Sequence, residues 1–239
     1  MTATRGDRLL LAIDTSRSRT VLALGTSDGT LLAADTWEAG HLHVEELLPR
    51  IDMFLEGRGL DRGALARLSG IIVGTGPGAF TGLRVGIATA KALAIAFERP
   101  LAAIGSGAAL LAAAAAADPS TDPARLVVLV PAGPTGRYVV TLAGARLVTG
   151  DDTPDGPLDA VPVAVDLAGR APEAAVARGR AATDRFPGVL LRLGAARIAA
   201  GRADDPAQVV PEYVSLPRGA VGAVPAGAEV VTTWSPTRP

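Results

Sequence analysis

The sequence predicts an α/β fold, and three observations lead to this prediction. Apolar runs at residues 9–13, 21–24 and 31–37 are separated by turn residues, which is the pattern of three antiparallel strands. The β-branched run at residues 71–73 lies between two glycines, as expected for a strand that is covered on both faces. This strand leads through a glycine-rich turn into an apolar helix at residues 82–97, so that strands and helices alternate here.

The remaining elements of the first half complete one compact unit. Apolar residues recur at helical spacing over residues 43–56, with Val44, Leu48, Ile51 and Leu55 on one stripe and Leu47 and Phe54 beside it. A short helix is predicted over residues 61–68 and a strand over residues 100–104. We therefore expect an N-terminal α/β subdomain over residues 1–105.

The second half has a less regular pattern. Ser106 is placed to cap an alanine-rich helix that extends to Ala117. In the first half, Thr81 is placed in the same way to cap the apolar helix. The other predicted elements are a strand, a hairpin, a further strand and an amphipathic helix, over residues 126–130, 138–142 with 146–149, 161–165 and 190–203. We expect a smaller C-terminal α/β subdomain over residues 106–224 and a loosely ordered tail over residues 225–239.

Composition excludes several classes of function. The net charge of −1 provides no general attraction to nucleic acid or to an anionic membrane. The absence of cysteine excludes disulfides, thiolate metal sites and a cysteine nucleophile. The first apolar run is short and interrupted by Asp14, unlike a signal peptide, so a cytoplasmic location without membrane contact is expected.

Two connections between elements are candidates for binding a phosphate. Asp14, Thr15 and Ser16 follow the first strand, where hydroxyls and a carboxylate would meet a nucleotide and its magnesium ion. Gly76 and Gly78 lie in a strand-to-helix turn, where free backbone N–H groups and the helix dipole attract anions. The alternative is that all five residues only shape the two turns, because neither stretch matches a complete phosphate-binding motif.

The two histidines, His41 and His43, precede the first predicted helix at a spacing of two. A structural metal site needs three or four ligands, and this spacing does not place both histidines on one helical face. No metal is expected.

Small residues recur every fourth position along the apolar helix, at Gly82, Gly86, Ala90 and Ala94. This spacing allows a second helix to approach closely, and a helix so apolar is normally covered on both sides. The stripe therefore predicts a contact surface for a neighbouring domain or a second chain. The alternative is that Ala90 faces its own sheet.

Four stretches, LLAIDTS, HLHVEELLPRI, GTGPGAFTGLRVGIATAKALA and PEYVSLP, occur in this order. Together they resemble the TsaB (YeaZ) family, a bacterial component of the tRNA threonylcarbamoyladenosine system, most specifically over residues 9–106. Two positions depart from the family pattern. Pro131 begins Pro-Ala-Gly where an Asp-Ala-Arg-like segment is usual, and Ser215 stands where arginine is usual.

The resemblance implies an actin/hexokinase-like (ASKHA) fold with two related subdomains, the second of them reduced. It also implies a non-catalytic scaffold that pairs with TsaD through its N-terminal helices. With TsaE, the pair installs threonylcarbamoyl on the adenosine beside the anticodon, so that tRNA is contacted through the complex. Leu47, Ile51 and Phe54 then join the small-residue stripe as partner-binding residues. No cofactor is required by the chain itself, although ATP or ADP at the subunit interface is compatible with the family.

Two features of the residues agree with a non-catalytic role. The helix over residues 106–117 carries no histidine, whereas TsaD-like proteins carry a metal-binding pair, and the second half lacks an Asp-x-Gly/Ser/Thr loop to face Asp14. The alternatives are an active kinase or peptidase of the same superfamily, and a domain that pairs with its own copy. A peptidase would need a nucleophile with a base or a metal with its ligands, and neither set is evident.

Overall fold

The computed structural model describes residues 9–39, 43–58, 60, 68–149 and 159–214. Most of the predicted helix at residues 61–68 and the predicted tail at residues 225–239 lie outside the described parts. The two histidine side chains, where no metal is expected, and Ser215 also lie outside them. Among the described residues, no helix combines the length and the apolar character that crossing a membrane requires.

The first lobe contains one mixed sheet. Its elements are β1 (Leu9–Asp14), β2 (Arg19–Thr26), β3 (Leu31–Glu38), α1 (His43–Glu56), β4 (Leu68–Gly74), α2 (Phe80–Ala96) and β5 (Leu101–Ile104). The strand order is β3-β2-β1-β4-β5, in which β1 runs antiparallel to β2 and parallel to β4. The predicted antiparallel start and the following helix–strand–helix–strand run are confirmed.

The second lobe repeats this arrangement with fewer elements. It follows α3 (Ser106–Ala117) and contains β6 (Leu126–Ala132), β7 (Gly136–Thr141), β8 (Gly144–Thr149), β9 (Val161–Ala164) and α4 (Glu173–Ala199). The order β8-β7-β6-β9 has the same strand directions as β3-β2-β1-β4, and no described strand corresponds to β5. The duplication confirms the α/β actin/hexokinase-like fold with a reduced second half. The residue boundaries of the two subdomains stay predictions.

Helices cover the sheets in layers, because the strands alternate apolar side chains between two faces. One face of the first sheet packs against α1 and α2. The other face packs against α3 and α4, and these two helices also cover the second sheet, so that one cluster contains residues of both sheets. The outer face of the second sheet packs against the start of α4, through residues such as Val127, Leu129 and Val176.

Helix α4 begins at Glu173, well before the predicted start at residue 190. The pair Pro187–Gly188 reads as a helix break in the sequence, since proline lacks the N–H that an interior position donates. In the structure, Pro187 lies inside the helix, and its neighbour Phe186 is completely buried in the core between the sheets. Tertiary packing overrides the local break signal here.

Both predicted serine and threonine caps are wrong. Helix α2 has Ala79 at its N-cap, and α3 has Gly105, with no side-chain cap bond in either case. Ser106 instead lies in the first turn of α3, and its hydroxyl is engaged in a buried polar cluster.

Candidate functional site

A buried polar cluster lies where β1, β4 and β5 end. The Asp14 side chain is completely buried at its centre. Its Oδ1 accepts hydrogen bonds from the Ser16 backbone N–H at 3.1 Å and the Ser16 hydroxyl at 2.7 Å, and its Oδ2 accepts from the Ser106 hydroxyl at 2.5 Å. Because protein donors use both oxygens, the carboxylate holds the two loops together and does not face open space.

Ser106 connects this cluster to the glycine-rich turn, since its Oγ also accepts from the Gly76 backbone N–H at 3.0 Å. A Cβ atom on Gly74 would lie 1.8 Å from Asp14 Oδ2, so only glycine fits there. Gly76 has φ +112°, a conformation that glycine adopts without strain. We missed Ser106 in the sequence because we assigned it as a cap. Its place after β5 was the available signal, because parallel strand ends meet at one edge.

The loop between β1 and β2 packs against the start of α2. The Thr15 hydroxyl donates to the Gly82 carbonyl at 2.7 Å, and the Ala79 N–H donates to the Ser16 carbonyl at 2.6 Å. A Cβ atom on Gly86 would lie 2.1 Å from Thr15 Oγ1, and one on Gly78 would lie 1.9 Å from the Ser16 carbonyl oxygen. The glycines therefore allow this close loop–helix contact.

A cleft of about 770 Å³ separates the two lobes above this cluster. Of the five residues predicted to contact a nucleotide, Ser16 and Gly78 line the cleft, whereas Asp14, Thr15 and Gly76 are buried beneath it. Pro131 lies on the wall formed by the second lobe. A contact with ATP or ADP stays a prediction.

The closing segment of the described chain runs along α2 to the mouth of the cleft. Lys91 Nζ donates to the Val209 carbonyl at 2.9 Å, and Arg84 Nε donates to the Tyr213 hydroxyl at 3.1 Å. The Glu212 N–H donates to the Thr75 carbonyl at 2.7 Å. These bonds fix the segment beside the glycine-rich turn, where partial burial raises the pKa of the Glu212 carboxyl.

This raised pKa predicts a pH-dependent gain in stability for Glu212→Gln. The folded state disfavours the ionised carboxylate, so the destabilisation is complete above the folded pKa and disappears below the unfolded pKa. We expect the variant to melt higher than the parent chain at pH 8, and the difference to shrink as the pH falls towards 4. Melting curves across this pH range test the prediction, and a difference that is constant with pH would contradict it.

The seven residues predicted to bind a partner are buried within the chain itself. They are Leu47, Ile51, Phe54, Gly82, Gly86, Ala90 and Ala94. Their side chains are therefore not available for direct contact with a partner, which corrects the prediction. The stripe of α1 faces the first sheet, and the small residues of α2 allow it to pack on the sheet and the β1–β2 loop.

Other residues of α1 and α2, two helices that contact each other, are exposed to solvent, and we call this set of residues the helix face. It consists of five exposed residues, Leu48, Met53, Ala88, Ala92 and Ile95. The three large apolar side chains on it, Leu48, Met53 and Ile95, are 55%, 69% and 65% exposed. Ala88, Ala92 and Ile95 share one side of α2 because they are spaced by four and three. Leu48 was predicted to share a stripe with Ile51 and Leu55, but these two are buried and Leu48 is exposed, because α1 carries more large apolar residues than one face can hold.

Metal ligands are not grouped in the described part of the chain, where no three His, Cys, Asp or Glu side chains are arranged to hold an ion.

Comparison with known proteins matches residues 37–187 to the family model described as "TsaD: tRNA N6-adenosine threonylcarbamoyltransferase". The chain belongs to this family, as a TsaB (YeaZ) homologue. YeaZ from Pseudomonas aeruginosa is similar in structure, with 26% sequence identity and a TM-score of 0.61 over 85% of this chain and 99% of that one.

Curated relatives include TsaB proteins and tRNA N6-adenosine threonylcarbamoyltransferases. TsaB of Escherichia coli, described as a tRNA threonylcarbamoyladenosine biosynthesis protein, is 33% identical over 97 residues, which are 41% of this chain and 40% of that protein. The tRNA N6-adenosine threonylcarbamoyltransferase of Erythrobacter litoralis is 33% identical over 112 residues, covering 41% of this chain and 32% of the relative. The matches thus span less than half the length of these relatives.

Proposed function

We propose that this chain is a non-catalytic subunit in the synthesis of threonylcarbamoyladenosine on tRNA, and that it binds a TsaD-like subunit through the helix face. The observation that carries the proposal is the exposure of Leu48, Met53 and Ile95 on two adjacent helices of the first lobe. Relatives named for this biosynthesis support it.

The helix face has the chemistry of a helix-packing surface. Covering a large apolar side chain completely contributes about 1.5–3 kcal/mol, so three such side chains supply a substantial driving force for association. Ala88 and Ala92 lie between Arg84 and Ile95 on the outer side of α2, where their small side chains let a partner helix approach the backbone. A partner with two helices of its own would cover both α1 and α2.

A non-catalytic role is supported by the state of the buried polar cluster. The Asp14 carboxylate is bonded to Ser16 and Ser106 and is completely covered, so it is not placed to hold the magnesium ion of a nucleotide. Catalysis then belongs to the TsaD-like subunit, with a TsaE-like ATPase, and tRNA is contacted through the cytoplasmic complex. The chain requires no cofactor of its own in this proposal.

Ala92→Arg tests the helix face. Ala92 is exposed, so the variant should fold and melt like the parent chain, whereas the long charged side chain prevents close helix packing. We expect affinity for the TsaD-like protein of the same organism to fall at least about tenfold, equivalent to about 1.4 kcal/mol. Titration calorimetry measures the affinity. Ala174→Arg, a matched change at an exposed alanine of α4, should leave it unchanged.

Two outcomes would contradict the proposal. A parent chain that does not bind the TsaD-like protein would remove the function itself, and a folded Ala92→Arg variant with normal affinity would remove the helix face as the site. Light scattering of the isolated chain measures its oligomeric state and so tests the alternative that the chain pairs with a second copy. A dimer that becomes a monomer in Ala92→Arg, without any binding of TsaD, would favour pairing with a second copy.

A further inference from the structure

Arg17 crosses from the first lobe into the second. It lies in the loop between β1 and β2, yet its side chain is only 2% exposed. Its Nη1 donates to Asp166 Oδ2 at 3.1 Å, at the corner between β9 and α4. Its Cζ lies 5.2 Å from the centre of the Phe186 ring on α4, a distance typical of a cation–π contact. A single side chain of the first lobe therefore contacts two elements of the second half.

The hydrogen bonding of this guanidinium is incomplete. Arg17 Nε and Nη2 are buried and have no hydrogen-bond partner among the residues that the structure describes. A buried donor without a partner costs about 1–3 kcal/mol, and more when the group is charged. The two nitrogens are covered by protein atoms, so a solute in the cleft does not reach them. A suitable acceptor is Asp166 Oδ1, since the Asp166 side chain is 27% exposed and no hydrogen bond from a described residue to this oxygen is present.

Asp166 has an uncommon backbone conformation. Its φ is +54°, in the left-handed region that few residues other than glycine adopt, although aspartate tolerates it better than most. The preceding N–H, that of Val165, donates to the Leu129 carbonyl at 2.9 Å and so fixes the corner to β6. Moving this corner therefore moves the second sheet with it.

We infer that Arg17 and Asp166 form an interlobe latch that is half closed in this structure. A small movement of the β9–α4 corner towards the first lobe would bring the second Asp166 oxygen onto another guanidinium nitrogen. Such paired N–H···O bonds are stronger and more directional than a single bond. Closing the latch narrows the cleft, and losing it lets the mouth of the cleft widen while the shared core between the sheets stays packed. This inference is independent of the proposed partner.

Distances between two spin labels, one on each lobe of the chain, test the latch. The sequence contains no cysteine, so Thr36→Cys on β3 and Thr149→Cys on β8 provide two unique labelling sites at exposed positions, one on each lobe. Pulsed electron-spin resonance then reports the distribution of distances between the lobes. We expect Arg17→Met, which keeps the length of the side chain but removes its charge, to shift the distribution to longer distances by a few ångströms and to broaden it.

Arg19→Met is the matched control, because Arg19 pairs with Glu38 within the first lobe at 3.1 Å. It should leave the distribution unchanged. Asp166→Asn is a second variant that weakens the latch, because it removes the negative charge of the acceptor. We expect it to fold, since the Asp166 side chain is partly exposed and asparagine also tolerates positive φ. If Arg17→Met does not fold, the shift is read from Asp166→Asn. A folded variant at either position whose distribution superimposes on that of the parent chain would overturn the latch.

Discussion

Replacing Ala90 with arginine is expected to leave little folded protein at room temperature. Ala90 is completely buried between α2 and the first sheet, in the cluster that also contains Ile51 and Leu93. Overpacking costs about 1–3 kcal/mol, and an unpaired buried charge costs about 3–5 kcal/mol. Their sum approaches the roughly 5–15 kcal/mol that separates folded from unfolded states in ordinary domains. Circular dichroism and thermal melting measure the loss.

Ala92→Arg is the natural comparison, because it places the same side chain two residues further along α2 but on the outer side. The burial of Ala90 predicts loss of the folded state, whereas the proposed function predicts that the change at the exposed Ala92 keeps the fold and loses the partner. An Ala90→Arg variant that melts like the parent chain would show that α2 is rotated relative to the orientation described here.

Gly74→Ala is expected to disrupt the polar cluster beneath the cleft. The new Cβ atom would lie 1.8 Å from Asp14 Oδ2 and 2.7 Å from Ser106 Oγ, so the carboxylate must move and its bonds must break. We expect about 1–3 kcal/mol from overpacking and about 1–3 kcal/mol for each buried polar group left unpaired. Urea unfolding measures the change in free energy.

A double-mutant cycle identifies the cause of this loss. Asp14→Ala alone removes the acceptor for Ser16 and Ser106, but in the double variant with Gly74→Ala the new methyl group occupies the space of the carboxylate. The combined loss should be smaller than the sum of the single losses by about 0.5–3 kcal/mol. Strict additivity would contradict the described contact. Gly188→Ala, where the Cβ atom meets only ordinary contacts at 3.7 Å and beyond, should be tolerated.

The sequence predicted the elements well wherever periodicity and turn residues agreed. The strands at residues 9–13 and 71–73, the helix over residues 43–56 and the hairpin of the second lobe all appear in the structure. Helix α4 was predicted over residues 190–203 from its amphipathic pattern and in fact spans Glu173–Ala199, because the tertiary contacts that bury Phe186 are not evident in the local sequence.

The site was less predictable, because it depends on which side of each helix faces the sheet. Both the inner stripe with Ala90 and the outer side with Ala92 contain small residues at helical spacing, and composition alone does not distinguish them. Likewise, Arg17 lies in a polar loop, and nothing in its neighbours indicates that it pairs with a residue 149 positions away. Contacts between residues so far apart in the sequence depend on the topology of the whole fold.

The core between the two sheets unites the lobes thermodynamically. Leu10 of β1, Val128 of β6 and Leu190 of α4 belong to one cluster of buried apolar residues. Neither lobe can lose its structure without exposing apolar surface of the other, so the chain should unfold in one cooperative transition. The stability of the second lobe therefore helps to determine what fraction of the molecules is folded and presents the helix face, although this face belongs to the first lobe. If the chain has the proposed non-catalytic role, this dependence gives a physical reason why it would still retain both of its sheets.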